Sequence, residues 1–465
     1  MTQNYNVTDL PELYSDELSQ CMSQVYGRIH RVRNTSKIVF IILRKRHYTL
    51  QTICLKKEMG EQFTELSKLP KESNVILIGK LVKADVKSCY YKEYELCVTG
   101  FKLINTPTLD LPFDLDNANM SCEKPVTSNV GVLMDTRLNN RAYDLRTPFN
   151  KIISKVTTHF LMGVRNYLVS ELDFTEIFTP KLLGTCTESG AEVFTVDYFD
   201  RKAYLAQSPQ LYKQMAINSD EQRVFTVGAV FRAENSMTKR HQTEFTGLDL
   251  EMELSPPFNY HEVINVLWNV VYRGYRNVSD VCNKEIEGLH KLHDYTKPVI
   301  PSKPVILTYT EAVDLLKSGG FVQDPDADLG TTNEKNLGDI VKSKYATDLF
   351  VLTEYPYSAR PFYTMKMDGL INGIVSTKSY DFIFRGREIL SGAQREHRAD
   401  VLEKQITEYG MNTENFSDYL DSFKYGSPPH GGGGFGLARI ITLMLGLDNI
   451  RYATLFPRDP HHLTP

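Results

Sequence analysis

The chain lacks any long apolar segment. The longest aliphatic and aromatic run near its N-terminus is residues 38–43, far short of the roughly 20 apolar residues that a membrane-spanning helix needs. Residues 1–17 carry four acidic side chains and no basic one, which is the wrong charge for a signal or transit peptide. We therefore expect no transmembrane helix, no membrane partner and a cytoplasmic location.

Cysteine is also sparse. No two of the seven cysteines have the spacing of a zinc knuckle or a redox pair, so we interpret them as reduced thiols. The composition, with 42% hydrophobic and 24% charged residues, is globular and excludes disordered and collagen-like proteins. A length of 465 residues exceeds what one hydrophobic core usually supports, which predicts two or three domains.

The charges are unevenly distributed along the chain. The net charge is -4, yet residues 28–105 contain 16 Lys and Arg against 7 Asp and Glu. A basic first domain beside an acidic remainder is expected when the first domain binds a polyanion. A solvated basic surface fits the same charges equally well, so the charge pattern alone leaves both interpretations open.

The first domain has the strand order of a small barrel. Period-two apolar patterns predict five strands, with one helix between the third and the fourth. The strands are expected at 25–30, 39–43, 49–55, 75–82 and 94–103, and the helix at 56–69. This is the order of an all-β OB-fold barrel, which binds single-stranded nucleic acid or oligosaccharide on strands 2 and 3, although a different small barrel is possible.

The second domain has a mixed pattern. A long amphipathic helix is predicted to begin at Pro148. Short strands follow at irregular separations, which favours an α+β domain built on an antiparallel sheet flanked by helices. The predicted regions are an N-terminal extension at 1–24, the barrel at 25–105, a linker or hinge at 106–140, and the second domain at 141–465 with an insertion at about 280–345.

A charged segment of the second domain, FRAENSMTKRHQTEFTGLDLEM at 231–252, suits nucleotide chemistry. Its polar loop contains Arg232, Glu234, Lys239, Arg240 and His241. Guanidinium groups bind phosphate oxygens bidentately and neutralise charge that develops at an α-phosphate. Phe245 offers a flat face for a purine. A charged hairpin is the alternative for any one of these residues, but it explains the whole cluster poorly.

A second segment, SYDFIFRGREILSGAQR at 379–395, contains Asp381 and Glu388 in an extended stretch. Two such carboxylates suit magnesium that is shared with nucleotide phosphates. Ser391 begins a run of small residues that lets backbone approach a ligand, and Arg395 is a candidate clamp for a carboxylate. Structural ion pairs explain these charges equally well.

A third segment, HGGGGFGLAR at 430–439, is interpreted as a glycine-rich turn that leads into a helix, with Arg439 near the helix start. Backbone N–H groups at such a position attract anions. The signal is weak by itself, because the segment has neither the Gly-Lys-Ser/Thr ending of a Walker A loop nor a GxGxxG pattern.

Separated segments of this type resemble the pattern of class II aminoacyl-tRNA synthetases, and nearly the whole chain is similar to aspartyl-tRNA synthetases of the eukaryotic and archaeal kind (subclass IIb). The segment FTEIFTPKLL at 174–183 resembles motif 1, residues 231–252 resemble motif 2 and residues 432–439 resemble motif 3. The sequences between and around the motifs indicate that the amino-acid substrate is aspartate. The matching stretches are QSPQLYKQ at 207–214, RHQTEFTGLDLEM at 240–252, ILSGAQR at 389–395 and LFPRDP at 455–460.

The resemblance implies an ATP-dependent aspartate–tRNA ligase that uses Mg²⁺, charges tRNA-Asp and forms a homodimer. For ATP it implies Arg232, Glu234, His241, Phe245, Glu388 and Arg439, of which Arg232 and Arg439 are catalytic. For L-aspartate it implies Glu188, Ser208, Gln210, Lys213, Asp249 and Arg395. For the metal it implies Asp381, Glu388 and Ser391, for the anticodon Arg33, Phe40 and Gln51, and for the dimer interface Pro180.

Two positions depart from the pattern that the chain resembles. Ala438 stands where an acidic residue usually precedes the last motif's arginine, and Arg387 replaces an acid beside Glu388. Either change is expected to weaken the handling of metal or ATP. Two alternatives remain: a non-catalytic paralogue that acts as an RNA-binding or regulatory protein, and an adenylating or amide-forming enzyme without tRNA.

Overall fold

The computed structural model describes residues 7–10, 22–119, 131–185, 193–290 and 295–464. The chain divides into two compact units, Met1–Ile152 and Ile153–Pro465. Each is considered by itself below. Within the described residues, no helix combines the length and the apolar character that crossing a membrane would require.

The first unit contains a closed barrel. Its strands are β1 (Val7–Asp9), β2 (Met22–Asn34), β3 (Ile38–Lys45), β4 (Tyr48–Leu55), β5 (Asn74–Lys83) and β6 (Tyr94–Asn105). The order is β1-β2-β3-β4-β6-β5, and pairing of β2 with β5 closes the ring. The predicted OB-fold order of three strands, a helical segment and two strands is confirmed.

The helical segment between β4 and β5 differs from the prediction. The expected helix at 56–69 is divided into α1 (Lys56–Met59) and α2 (Gln62–Ser67). Gly60 lies between them with φ of 59°. That left-handed conformation is tolerated by glycine and ends α1, because a continuing α-helix needs negative φ. The apolar spacing survives the break, since Met59, Phe63 and Leu66 all enter the barrel core.

The rest of the first unit packs short helices beside the barrel. They are α3 (Leu115–Ala118), α4 (Met134–Asn139) and α5 (Arg141–Asp144). Asp116 binds His30 at 3.0 Å and Arg31 at 2.5 Å. The described part of the stretch predicted as a linker is thus attached to the barrel by ion pairs.

The second unit begins within the long helix α6 (Pro148–Arg165), which continues as a π-helical stretch at Asn166–Glu171. The predicted apolar stripe is buried, including Phe149, Val156 and Phe160. The remaining helices are α7 (Gln210–Ile217), α8 (His261–Val281), α9 (Asn283–His290), α10 (Tyr309–Ser318), α11 (Thr331–Tyr345), α12 (Ala399–Glu408), α13 (Ser417–Lys424) and α14 (Leu437–Met444).

An eight-stranded sheet forms the centre of the second unit, in the order β13-β14-β15-β16-β17-β12-β11-β7. Its strands are β7 (Thr175–Glu176), β11 (Arg223–Phe231), β12 (Glu244–Glu253), β13 (Ile306–Thr308), β14 (Leu349–Thr353), β15 (Ser379–Phe384), β16 (Arg387–Gln394) and β17 (His430–Gly436). A separate sheet contains β8 (Leu182–Leu183), β9 (Thr195–Tyr198) and β10 (Arg201–Leu205). The predicted antiparallel sheet is confirmed for its central strands, whereas the edge pairs β13–β14 and β11–β7 are parallel.

The segment predicted as an insertion contributes to this sheet. It includes α10, α11 and the edge strand β13, whose residues pair in parallel with β14. Leu307, Leu316 and Leu337 from this segment pack in one cluster with residues of β14. Its weak polar pattern reflects amphipathic helices that cover one end of the sheet.

The glycine-rich segment is a strand and not the predicted turn. Residues of β17 pair with both β12 and β16, so the run of glycines crosses the centre of the sheet. A Cβ on Gly432 would lie 2.1 Å from the Leu250 carbonyl oxygen, and one on Gly434 would lie 2.5 Å from Asp249 Oδ1. Glycine is needed there because polar groups of β12 press against the bare backbone.

Candidate active site

A cavity of about 580 Å³ opens on one face of the large sheet. Its walls come from the β11–β12 hairpin, from β16 and β17, from the start of α14 and from the segment at 358–364. Five arginine side chains line it: Arg232, Arg240, Arg360, Arg395 and Arg439. The cavity therefore favours an anionic ligand of nucleotide size.

One end of the cavity combines an aromatic ring with cations. The guanidinium carbon of Arg232 lies 5.6 Å from the centre of the Phe245 ring. Glu234 lies 3.8 Å from Arg232 Nη1 and 3.9 Å from His241 Nε2. Burial lowers the pKa of His241, and the nearby Arg439 lowers it further against the opposing effect of Glu234. All four predicted ATP residues of the 231–252 segment thus lie together.

Arg439 comes from the first turn of α14 and reaches β16. Its Nη1 donates to the Glu388 carbonyl oxygen at 2.9 Å and lies 4.0 Å from Glu388 Oε1. Ser391, also on β16, lines the cavity as well. The predicted position of Arg439 near a helix start is correct, although a strand precedes that helix.

The predicted metal ligand Asp381 is engaged elsewhere. Both of its carboxylate oxygens accept hydrogen bonds from Arg360, at 2.8 and 2.7 Å, and Asp381 does not line the cavity. The sequence prediction paired Asp381 with Glu388 because they are seven residues apart on a turn. Arg360, from a loop of the same unit, forms a buried bidentate ion pair with Asp381 instead.

Two carboxyl groups near Asp381 have strongly raised pKa values. Burial, with the negative charge of Asp381, raises the pKa of Glu388 to about 7 and that of Glu334 to about 7. Across the described residues, no three His, Cys, Asp or Glu side chains lie close enough to hold a metal ion by themselves. The concentration of negative charge still favours a cation beside Glu388.

Arg395 lies at the opposite end of the cavity and is held from behind. Its Nε donates to Glu251 Oε1 at 2.8 Å, and its Nη2 donates to Gly432 O at 3.0 Å and Gln210 Oε1 at 3.1 Å. Among the described residues, its Nη1 makes no hydrogen bond. Although burial opposes it, Glu251 raises the pKa of Arg395, so the guanidinium stays charged and presents one edge to a ligand.

Lys213 was predicted to contact the substrate aspartate, but its side chain does not reach the cavity. That side chain is fully buried. Its Nζ lies 3.1 Å from Asp249 Oδ1 and 3.5 Å from Glu251 Oε2. Lys213 thus supports Asp249, which does line the cavity, from behind.

Ser208 and Gln210 line the cavity at the start of α7. The Ser208 hydroxyl accepts a hydrogen bond from the Gln210 backbone N–H at 3.3 Å. Glu188, the remaining residue predicted for aspartate, lies outside the described residues.

The outer face of the barrel brings the predicted anticodon residues close together. Arg33 on β2 pairs directly with Phe40 on β3, and Ile42 pairs with Gln51 on β4. Val39 and Ile41 are buried, so Phe40 points outward and is absent from the barrel core. Gln51 Nε2 donates to Glu95 Oε2 at 2.9 Å. An aromatic ring, a cation and an amide therefore lie on one face of the barrel.

Family models match both units. Residues 24–104 match the OB-fold nucleic acid binding domain, and residues 133–460 match the model for tRNA synthetases class II (D, K and N). The second match covers well over half of the chain. The chain belongs to the class II tRNA synthetases. The family predicted from the motifs is thereby confirmed.

Individual synthetases are similar over almost the full length. The cytoplasmic aspartate–tRNA ligase of Caenorhabditis elegans is 41% identical over 95% of this chain and 84% of that protein. The solved aspartyl tRNA synthetase of Entamoeba histolytica is 35% identical, with a TM-score of 0.89 over 100% of this chain and 94% of the other. The asparaginyl-tRNA synthetase of Pyrococcus horikoshii, complexed with asparaginyl-adenylate, is 29% identical, with a TM-score of 0.83 over 99% and 100%.

Three residues of this synthetase site escaped sequence reasoning. Glu251 orients Arg395, Arg360 neutralises Asp381, and Glu334 adds a carboxylate from α11. Glu251 lies within the RHQTEFTGLDLEM segment at 240–252, so the sequence could have indicated its importance. Arg360 and Glu334 come from stretches that no motif singled out, and only the fold brings them to β15 and β16.

The two departures from the family pattern both lie close to Arg439. Ala438 lines the cavity. Burial, followed by the charges of Arg240 and Arg439, lowers the pKa of Arg387. The site thus holds an additional cation and lacks one carboxylate, and the expected effect on ATP handling stays a prediction.

Proposed function

We propose that this class II tRNA synthetase is an aspartate–tRNA ligase, which activates L-aspartate with ATP and transfers it to tRNA-Asp. The observation that carries the proposal is the arrangement of the single cavity wall formed by β12, β16 and β17. Arg395 presents a free guanidinium edge at one end, and Phe245 with Arg232 and Arg439 lies at the other. The names of the aspartate-specific relatives support the choice of amino acid.

Activation is an in-line displacement in which positioning and charge do most of the work. The α-carboxylate of aspartate forms a bond to the α-phosphorus of ATP, and pyrophosphate leaves with its bonding electrons. Arg232 is proposed to stabilise the charge on the α-phosphate, Phe245 to stack on adenine, and Arg439 to bind the γ-phosphate. Glu234 and His241 are proposed to complete the ATP contacts.

Selection of aspartate is proposed to depend on the Nη1 edge of Arg395. A carboxylate accepts a charge-assisted hydrogen bond from Nη1 and compensates the guanidinium charge, whereas an asparagine amide leaves that charge uncompensated. Asp249 and Ser208 are proposed to receive the amino end, with Lys213 holding Asp249 in place. Gln210, which was predicted to join them, has its side-chain oxygen on Arg395 instead. Glu188 is proposed to bind the amino end as well.

The residues near Glu388 fit a magnesium ion. Mg²⁺ is usually bound by one or two carboxylates together with substrate phosphates. Burial, and then the charge of Asp381, raises the pKa of Glu388, so a bound cation would stabilise its ionised form. Because both Asp381 oxygens accept from Arg360, we propose Glu388 as the carboxylate ligand. Ser391 is proposed as a second oxygen ligand, although its hydroxyl also accepts a hydrogen bond from Arg360 Nη1 at 2.8 Å. When bound, the ion would neutralise phosphate charge.

The second reaction joins aspartate to tRNA. The 3′-hydroxyl oxygen of the terminal adenosine attacks the carbonyl carbon of the adenylate, and AMP leaves. The barrel is proposed to bind the anticodon, with Phe40 stacking on a base, Gln51 reading a base edge and Arg33 contacting phosphate. The excess of basic residues in the barrel supports this role.

The experiment that tests the function is exchange of labelled pyrophosphate into ATP, with aspartate, asparagine and lysine supplied separately and tRNA omitted. Exchange with aspartate alone is expected. Exchange with another amino acid would overturn the assignment of the substrate, and no exchange even after tRNA is added would favour a non-catalytic paralogue.

Phe40→Ala is expected to raise the KM for tRNA-Asp by about tenfold, because base–aromatic stacking contributes about 1–3 kcal/mol per base. Aspartate-dependent pyrophosphate exchange without tRNA should be unchanged, since Phe40 belongs to the barrel. Phe40→Tyr keeps the ring and is expected to retain the wild-type KM. An unchanged KM for tRNA-Asp in the alanine variant would show that Phe40 does not bind the anticodon.

We propose that the protein forms a homodimer through an exposed apolar surface close to Pro180 in sequence. Phe178 is 88% exposed, and Leu182 and Val169 are about half exposed. Apolar patches of this kind mark protein–protein interfaces. Phe178→Lys is expected to shift the protein from dimer mass towards the monomer mass of 53.2 kDa in light scattering, because it introduces a charge into the interface.

Tyr425→Lys is the matched control for this test, because Tyr425 is 89% exposed and lies away from the Pro180 surface in sequence. It should remain dimeric. A wild-type protein that is monomeric at all concentrations would overturn the dimer proposal. A cytoplasmic location is proposed because the similar aspartate–tRNA ligases are named cytoplasmic.

A further inference from the structure

A chain of buried polar side chains leads from Arg395 into the interior of the second unit. Arg395 Nη2 donates to Gln210 Oε1 at 3.1 Å, and Gln210 Nε2 donates to Gln214 Oε1 at 3.1 Å. Gln214 Nε2 then lies 3.0 Å from His430 Nε2. Each of these four side chains is at most 5% exposed, and Gln214 and His430 are fully buried, so their polar groups need partners within the protein.

The groups at the two ends of this hydrogen-bond chain determine its direction. At one end the Arg395 guanidinium can only donate, so it requires the oxygen of Gln210. The other end imposes the matching constraint. His430 Nδ1 lies 2.8 Å from the Pro428 carbonyl oxygen, which only accepts hydrogen bonds. The proton of the imidazole is therefore on Nδ1, and burial lowers the pKa of His430, so the ring is neutral. Nε2 must then accept, which requires the amide nitrogen of Gln214 to point towards it.

Each following orientation depends on the one before it. With its nitrogen on His430, Gln214 turns its oxygen to Gln210, and Gln210 must turn its nitrogen to Gln214. The Gln210 oxygen is left to face Arg395. If either amide rotated by half a turn, two donors or two acceptors would face each other without water.

We propose that His430 is a positioning residue for amino-acid selection: acting through Gln214 and Gln210, it keeps Gln210 Oε1 on Arg395 and so directs the Nη1 edge of Arg395 at the side-chain carboxylate of aspartate. Gln210 and Arg395 line the cavity, whereas Gln214 and His430 do not. The fixed Gln210 oxygen is also unavailable to an asparagine amide, which needs an acceptor. This inference rests on the proposed function.

The test compares His430→Leu with wild type in pyrophosphate exchange, with aspartate and asparagine as separate substrates. The KM for aspartate is expected to rise about tenfold, the value of one net hydrogen bond, and the preference for aspartate over asparagine to fall by a similar factor. The KM for ATP and the kcat with saturating aspartate should change little. His430→Gln, which offers an acceptor to Gln214, should recover most of the preference.

Tyr419→Phe is the matched control. The Tyr419 hydroxyl donates to the same Gln214 oxygen at 3.0 Å and is equally buried, but it does not determine which way Gln214 points. Its loss should lower the melting temperature without altering the aspartate preference. An equal loss of preference in Tyr419→Phe and His430→Leu would show that packing alone is responsible and would overturn the proposal.

Gln214→Glu is a second variant in case His430→Leu does not fold. A glutamate has no donor for His430 Nε2, so it should reduce the preference for aspartate as His430→Leu does. Retention of the wild-type KM and preference in either folded variant would overturn the positioning role. The two proposals fail separately, because a wild-type protein without aspartate-dependent exchange contradicts the proposed function itself.

Discussion

Arg395→Ala is expected to abolish aspartate-dependent pyrophosphate exchange, with a loss in kcat/KM of at least about 10²-fold, while the protein stays folded. Removing one partner of a buried, hydrogen-bonded charge pair costs about 2–5 kcal/mol in binding. The fold should persist because Lys213 Nζ lies 3.5 Å from Glu251, so that carboxylate keeps a cationic partner when Arg395 is removed. Exchange kinetics and thermal unfolding measure the two effects.

Two further variants make this test specific. Arg398→Ala removes an arginine three positions along the chain, whose side chain is 54% exposed and paired with Glu396, and it should leave the KM for aspartate unchanged. Arg395→Lys keeps the charge but not the planar fork, so it should restore stability more than activity. Wild-type exchange in a folded Arg395→Ala variant would show that another group selects aspartate.

Arg232→Ala is expected to lower the kcat of exchange by about 10²- to 10³-fold, the usual effect of removing one group that stabilises charge in a transition state. Stability should change little, since the Arg232 side chain is 40% exposed and its ion pair with Glu234 spans 3.8 Å. Single-turnover formation of the adenylate at saturating ATP and aspartate measures the effect.

Arg276→Ala is the control for Arg232, because Arg276 is a surface arginine of α8 whose nearest carboxylate is Asp280 at 3.8 Å. It should exchange like wild type. Arg232→Lys should recover only part of the rate, because an ammonium cannot bind two phosphate oxygens in parallel. If Arg232→Ala changed only the KM for ATP, the residue would bind the ground state and would not be catalytic.

Local patterns predicted a large part of the fold. The strand order of the barrel followed from period-two alternation, and the outward position of Phe40 follows from the buried Val39 and Ile41 on either side of it. Where the prediction was wrong, one residue or one pairing explains it: Gly60 divides a helix, and β17 is a strand because it lies between β12 and β16.

The cavity shows the limit of sequence reasoning more clearly. Arg232, His241 and Phe245 were found together because they are close in one hairpin. Asp381 was assigned to a metal from its spacing to Glu388, and its partner Arg360 is 21 residues away on a loop with no motif. Charged residues that are distant in sequence and paired only in the folded protein leave no local sequence pattern. They nevertheless influence the pKa values and the orientation of the groups around them.

By itself, the sequence determined the two kinds of domain, the family and most of the charged side chains that line the cavity, because strand periodicity and motif spacing are properties of neighbouring residues. The tertiary structure decided how those side chains are held. Arg395 is oriented by Glu251 from β12, by Gln210 from α7 and by the backbone of β17, and Lys213 is turned towards Asp249 rather than the cavity. Buried polar groups must find partners wherever the fold places them, so such contacts appear only once the strands and helices are packed.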